Sequence, residues 1–365
     1  MTSVTSSLSS PLASTTPAAA PLALRDAWEK ARAEQAMARP FDVAANLGVS
    51  ELELVAARTG DPNDVIRLRP DWDLLLPELG CLGEVMALTR NPHAVIEKNG
   101  RWTPYERTGP VAIVHDDGID LRLFMNTWQH VYAVLTTTPD GLRRSLQFFD
   151  GAGLALHKIF VKEGAPEASA TAFDALVAQL RDPDQSPGVT VTATAPPAAE
   201  KLDADIDIAS FQAAWRGLTD THEFFGMLRK FNVQRHQAMR LAPPELTREV
   251  AVSSARTVLE QAAESSLPIM VFVGNRGCLE IHSGRIKRVK VMGPWLNILD
   301  KGFNLHLRED RIVSAWVVTK PTNDGPVTSL ELYDSDHQNI AIFFGSRQPG
   351  QAEEPAWQAL AASLA

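Results

Sequence analysis

The most constraining feature of this chain is that it repeats itself at a fixed distance. The run "GIDLRLFMNTWQHVYAV" begins at Gly118, and "GFNLHLREDRIVSAWVV" begins at Gly302, 184 positions later. "SLQFFD" from Ser145 meets "SLELYD" from Ser329 at the same offset of 184. "FDALVAQL" from Phe173 meets "WQALAASL" from Trp357, with Ala175, Leu176, Ala178 and Leu180 finding identical partners. "LGVSELELVAA" and "FNVQRHQAMRLA" align through Val49 and Val233, again 184 apart. Blocks in one order at one offset are the mark of an internal duplication, with small length changes such as that between "KNG" and "NRG". A length of 365 residues also exceeds what one hydrophobic core ordinarily serves, so two related core units are expected.

Each unit carries the same pattern. Apolar residues at three- and four-residue spacing predict helical stretches over Leu24 to Ala57 and Phe211 to Leu241. Alternating runs then predict strands, punctuated by "KNG", "HDDG" and "PDG" in one unit and by "NRG" and "SG" in the other. A closing helix is expected near Thr171–Leu180 and again near Pro355–Leu364. Helices followed by a meander of strands predict an α+β fold in two similar halves, each with an antiparallel sheet. Residues 1–22 lack any charged side chain and are interrupted throughout by Ser, Thr and Pro, which reads as a disordered tail and not as a secretory signal. The expected divisions are that tail, an N-terminal repeat over 23–180, a Pro/Thr/Ala-rich linker over 181–208, and a C-terminal repeat over 209–365.

Composition removes several classes of function. A formal net charge of -9 argues against general nucleic-acid binding, although a local basic patch remains compatible with an acidic ligand. No stretch reaches the roughly 18 consecutive apolar residues that a membrane span needs. Cys81 and Cys278 lie far apart with no CxxC, which suits free thiols in a reducing, cytoplasmic setting. There is no βαβ pattern, GxGxxG turn or phosphate-binding lysine loop, so a nucleotide enzyme is not expected.

The duplication also exposes positions where the halves differ. His222 in "TDTHEFFGMLRKF" has Ala38 as its counterpart, and Arg122 in "IDLRLF" has His306. A polar residue present in one copy only points to a single site that the pair shares. Asp220 and Glu223 have capping-box spacing, which predicts His222 in the first turn of a helix with Phe225 and Met227 alongside. On residues alone, His222 is open as a core residue, a helix-end surface residue, a catalytic base or a metal ligand. His236 is an alternative ligand, and His282 and His306 read as structural strand residues.

The motifs "GEVMALTRNPHAVIEKNG", "TDTHEFFGMLRKFNV", "IMVFVGNRGCLEIHSG" and "MGPWLNILDKGFNLHL" resemble the hemin-degrading and heme-trafficking proteins of bacterial heme uptake, the HemS/HmuS/ChuS/PhuS group, from about Leu24 to the C-terminus. The resemblance implies two repeated halves, each with a large antiparallel sheet flanked by helices, and one heme b in a cleft between them. It implies His222 as the axial iron ligand and Arg122 as the distal residue, hydrogen-bonding oxygen or water. Arg235, Lys320 and Arg347 become contacts to the heme propionates, and Phe225 and Phe344 become part of the pocket wall. Where the family often carries a tyrosine, this chain has Phe343 and Phe344. Such residues suit heme, a flat apolar plate with a central iron and two carboxylates on one edge. The family relation leaves two activities open: oxidative opening of the heme ring with electrons from an external donor, or delivery of intact heme to a separate heme oxygenase. In either case the expected partners are heme and the cytoplasmic face of an importer ATPase or permease. A cofactor-free structural or protein-binding scaffold is the third reading.

Overall fold

The computed structural model describes residues 20–35, 38–60, 64–116, 118–193, 199–347 and 350–365. Its first half contributes β1 (Val65–Leu68), β2 (Glu84–Arg90), β3 (Ala94–Arg101), β4 (Tyr105–Thr108), β5 (Val111–His115), β6 (Asp120–Phe124), β7 (His130–Thr138), β8 (Gly141–Phe149) and β9 (Ala155–Val161). The second contributes β10 (Thr247–Val250), β11 (Ile269–Gly274), β12 (Cys278–Gly284), β13 (Val289–Met292), β14 (Trp295–Asp300), β15 (Phe303–Arg308), β16 (Ser314–Lys320), β17 (Val327–Tyr333) and β18 (Asn339–Gly345). The sequential hairpins build two antiparallel sheets, as the alternating runs predict.

The halves do not keep their strands to themselves. One nine-stranded sheet runs β1-β7-β8-β9-β2-β3-β15-β14-β13, and the other runs β10-β16-β17-β18-β11-β12-β6-β5-β4. Each sheet therefore takes six strands from one half and three from the other. The exchange is made by antiparallel pairing of β3 with β15 and of β12 with β6. It carries Arg122, a first-half residue on β6, into the second-half sheet.

The sheets pack face to face. One core joins Val271, Leu330 and Phe343 of the second sheet to Ile96, Leu296 and Leu305 of the first, and Trp357 of the closing helix Pro355–Ser363 plugs its end. The other core joins Leu146, Phe148 and Ile159 to Leu121, Leu123 and Cys278, beneath the helix Glu167–Leu180. The outer faces are partly covered by helices at equivalent places. Pro21–Glu34, Pro40–Leu47 and Glu51–Ala56 pack on the first sheet, while Ile208–Arg216, Glu223–Phe231 and Arg235–Leu241 pack on the second.

Local chemistry repeats as well. Pro40–Leu47 and Glu223–Phe231 both end in a left-handed residue, Gly48 (φ 68°) and Asn232 (φ 52°), two residue types that adopt this cap readily. The next helix in each half starts with a reciprocal capping box, Ser50 with Glu53 and Gln234 with Gln237.

Residues 1–19 of the expected tail lie outside the described residues, and Pro21 already begins the first helix, where its missing N–H is harmless. Part of the expected linker is tied down. The Arg67 guanidinium donates to the Asp184 carboxylate at 2.8 Å and to the Gly188 carbonyl at 2.6 Å. Among the described residues no helix is long and apolar enough to cross a membrane.

Candidate functional site

His222 stands at the entrance to the helix Glu223–Phe231 as its N-cap, and 94% of its side chain is exposed. The capping box expected of Asp220 and Glu223 forms only in part. Glu223 reaches back to the Thr219 and Asp220 N–H groups at 2.9 and 3.2 Å, but Asp220 does not cap Glu223. Its carboxylate instead accepts from the His222 N–H at 2.7 Å and lies 2.6 Å from His222 Nδ1. The short side chain of Asp favours this local turn over a reach to the next helical turn. Those hydrogen bonds from His222, with a smaller contribution from Arg347, hold the Asp220 carboxyl below its ordinary range. The Asp220 carboxylate engages the Nδ1 side of the ring and leaves Nε2 as the nitrogen open to a ligand, the usual arrangement around a metal-binding imidazole. Asp220 is thus a positioning residue that sequence reasoning assigned to the backbone.

Phe225, next along the helix, is 63% exposed, a large apolar surface beside a bare imidazole. Met227, expected to share that wall, turns inward to the core formed with Phe211, Trp215 and Val318.

Beyond these helices the outer face of the second sheet is uncovered. Strand alternation and register place Phe344 and Ile342 of β18, Met270 and Phe272 of β11, Leu279 and Ile281 of β12, and Ile113 of β5 on this one face. Most of them are half-buried, Ile113 is exposed and Ile281 is buried. Phe272 and Phe344 rest against each other with centroids 4.9 Å apart. Arg122 shares the face, three strand spacings or about 14 Å from β18. One guanidinium N–H group bonds Asp120 and the Leu121 carbonyl, and a third of the side chain remains exposed.

Lys320 and Arg235 meet at a residue the sequence reading passed over. Glu331, fully buried on β17, accepts a two-pronged bond from Arg235 at 2.7 and 2.6 Å, a bond from Lys320 Nζ at 3.0 Å, and one from the Tyr333 hydroxyl at 2.6 Å. Burial would raise the Glu331 carboxyl, but Arg235 and Lys320 outweigh it and hold it far below the usual carboxylate range. Burial pushes Lys320 down despite Glu331. Two cations against one carboxylate leave a net positive charge, with Lys320 Nζ 4.7 Å from the Phe224 ring and 5.9 Å from Phe344. Arg235 and Lys320 are therefore anchored by an internal acid and are not loose surface cations. The signal for Glu331 was an acid between two core leucines in "SLELYD".

His222, Phe225, Phe344, Lys320 and Arg235 thus belong to one region of the second half, with Arg347 electrostatically coupled to Asp220 and Arg122 across the same sheet. His236 points elsewhere, 3.3 Å from Ser314 Oγ and stacked on His337. His282 faces inward, stacked on Phe303 at 3.7 Å, and His306 bonds Asn297 at 2.7 Å on the other sheet.

Against known proteins, the haemin-degrading HemS.ChuX domain family matches twice, over residues 48–180 and 232–364. The hemin transport protein HmuS of Yersinia pestis is 37% identical over 338 residues, covering 92% of this chain and 96% of its own length. The crystal structure of holo-PhuS, a heme-binding protein from Pseudomonas aeruginosa, superposes with a TM-score of 0.90 at 44% identity, covering 94% of this chain and 99% of that one. The heme degrading enzyme ChuS of Escherichia coli O157:H7 gives a TM-score of 0.86 at 34% identity, covering 94% and 99%.

Proposed function

Since the chain belongs to the haemin-degrading HemS.ChuX domain family, we propose that it is a cytoplasmic protein of bacterial heme uptake, binding one heme against the uncovered face of the second sheet. The residues fit the group. His222 offers Nε2 to the iron while Asp220 holds its ring. Phe225, Phe344, Phe272 and Ile342 supply apolar surface for the plate, and burial of that surface accounts for much of the affinity. The net positive charge of Arg235 and Lys320 around Glu331, with Arg347, receives the propionates. Arg122, partly exposed on the same sheet face, presents N–H donors. The observation that carries this reading is the exposed, carboxylate-oriented imidazole beside an otherwise unexplained apolar sheet face.

We further propose that the protein opens the heme ring with dioxygen and electrons from an external donor, releasing iron. The bound heme iron supplies the redox chemistry. The chain's own part is to fix the plate, exclude water from its apolar side and place the Arg122 donors where negative charge develops. A second reading, delivery of intact heme to a separate heme oxygenase, is favoured by the exposure of His222 and Phe225, which leaves the plate an open route to solvent. The deciding experiment gives the heme complex an electron donor in the presence of catalase, which removes free peroxide. A ring-opened product with released iron supports degradation. Intact heme passing to an added acceptor supports delivery, and failure to bind heme removes both readings.

A further inference from the structure

Away from the heme face, three side chains from distant parts of the sequence converge. Glu200 comes from the segment joining the halves, His236 from the helix Arg235–Leu241, and His337 from the turn between β17 and β18. One ligand atom from each lies within 4.8 Å of the others. We propose that Glu200, His236 and His337 form a second site, for a divalent first-row transition-metal ion of the Fe2+, Co2+ or Zn2+ kind.

The atoms left free are the ones a metal would need. Glu200 Oε1 and His236 Nδ1 are buried and have no hydrogen-bond partner, an arrangement that ordinarily costs stability. His337 Nδ1 lies 3.7 Å from Glu200 Oε1. The remaining polar atoms of the first two residues are held from behind. His236 Nε2 is 3.3 Å from Ser314 Oγ, and Glu200 Oε2 accepts from Arg240 at 2.9 Å. Outer bonds of this type orient metal ligands. The two imidazoles lie nearly parallel, 4.0 Å apart at 17°.

The repeat sharpens the case. Subtracting the offset of 184, His236 corresponds to Leu52 and His337 to Gly153. The first half brings these positions together too, with the Leu52 N–H donating to the Gly153 carbonyl at 3.2 Å. Only the second half fills both with imidazoles. Gly153 has φ 84°, while His337 holds the same left-handed region at φ 59°, which is unfavourable for an L residue with a Cβ. The turn therefore gains nothing conformationally from histidine. Two nitrogens and one carboxylate oxygen, with water completing the shell, match a borderline transition metal and not Mg2+ or Ca2+. Ligands on such an ion sit about 3.4 Å apart, so the site must close slightly, and His337 is half exposed at a hairpin tip with room to do so.

The test titrates Co2+ into the heme-free full-length protein, reads its visible ligand-field bands, and then displaces it with Zn2+. The site predicts one Co2+ per chain. His337→Gly restores the residue of the first half at a backbone angle that suits it, and Glu200→Gln removes the anionic ligand. Each should weaken Co2+ binding by about tenfold or more, with thermal unfolding used to verify that both variants fold. His222→Ala should leave the Co2+ isotherm unchanged, and His337→Gly should still bind heme. No Co2+ binding, equal binding by His337→Gly and wild type, or binding lost only in His222→Ala would each overturn the site without touching the heme assignment.

Discussion

The two halves share a backbone plan but present opposite chemistry on equivalent faces. On the second sheet the uncovered face carries Ile113, Ile281 and Ile342; at the same positions the first sheet carries Asn297, Glu97 and Lys158. Lys158 there is paired with buried Glu51, which is the counterpart of Arg235. Phe225 is exposed, while its counterpart Phe41 lies under the Arg90 guanidinium at 3.5 Å. His222 is replaced by Ala38, Glu331 by Gln147, and Arg122 by His306. The first sheet has filled its face with polar and charged side chains, the Lys158–Glu51 pair among them, and the second has left an apolar face with an exposed imidazole and surplus positive charge. Duplication supplied the scaffold twice, and the two copies of the face have diverged in chemistry.

Exchanging residues between the halves tests that contrast. The largest effect is expected for Glu331→Gln, which imports Gln147 and leaves Arg235 and Lys320 without their buried counter-charge. Removing one partner of such a cluster costs about 3–5 kcal/mol, so a clear loss in chemical-denaturation stability is expected. An unchanged midpoint would mean that the cluster is solvated and that its charge does not organise the rim. Next is Ile342→Lys, which imports Lys158 into the apolar face. It should weaken heme binding by about 1.5–3 kcal/mol through lost apolar contact, with little change in protein stability, as measured by heme titration and thermal unfolding. Unaltered heme affinity would move the plate off this strand.

An effect that emerges only as pH falls belongs to the shared interior. His157 is buried in the first-half core with Nδ1 2.9 Å from Thr89 Oγ1, and burial pushes it down to about 3. His282, pushed down to about 3 by burial and then by Lys98, lies in the other core. The stability these neutral rings preserve is fully present above the unfolded value of 6.5 and is lost as pH falls from there towards 3. Each contributes a slope of up to about 1.4 kcal/mol per pH unit. His157→Gln should reduce the acid slope of unfolding free energy relative to wild type, and parallel slopes would show that His157 titrates freely in the folded protein.

Much of this was legible in the sequence because repeats conserve what the core requires. Val49 and Val233, or the paired "SLQFFD" and "SLELYD", mark the same inward positions, so the offset revealed the architecture, and its exceptions drew attention to His222 and Arg122. The strand exchange was not legible. Pairing of β12 with β6 is a long-range choice among strands of similar alternation, which local pattern does not encode. Asp220 was misassigned because Asp-x-x-Glu spacing suits a cap and an Asx turn alike, and only the backbone at His222 separates them. Glu331 was passed over because an acid between leucines carries no address for its partners, which arrive from β16 and from a helix 96 residues away.

The central claim is that the duplicated scaffold holds one heme, on the face of its second sheet. Heme titrated into the heme-free protein, followed by visible absorbance, tests it directly. The account predicts saturation at one equivalent with a histidine-ligated spectrum, and a changed iron environment in His222→Ala. Saturation at two tight, spectrally alike equivalents, or a wild-type spectrum in His222→Ala, would contradict it.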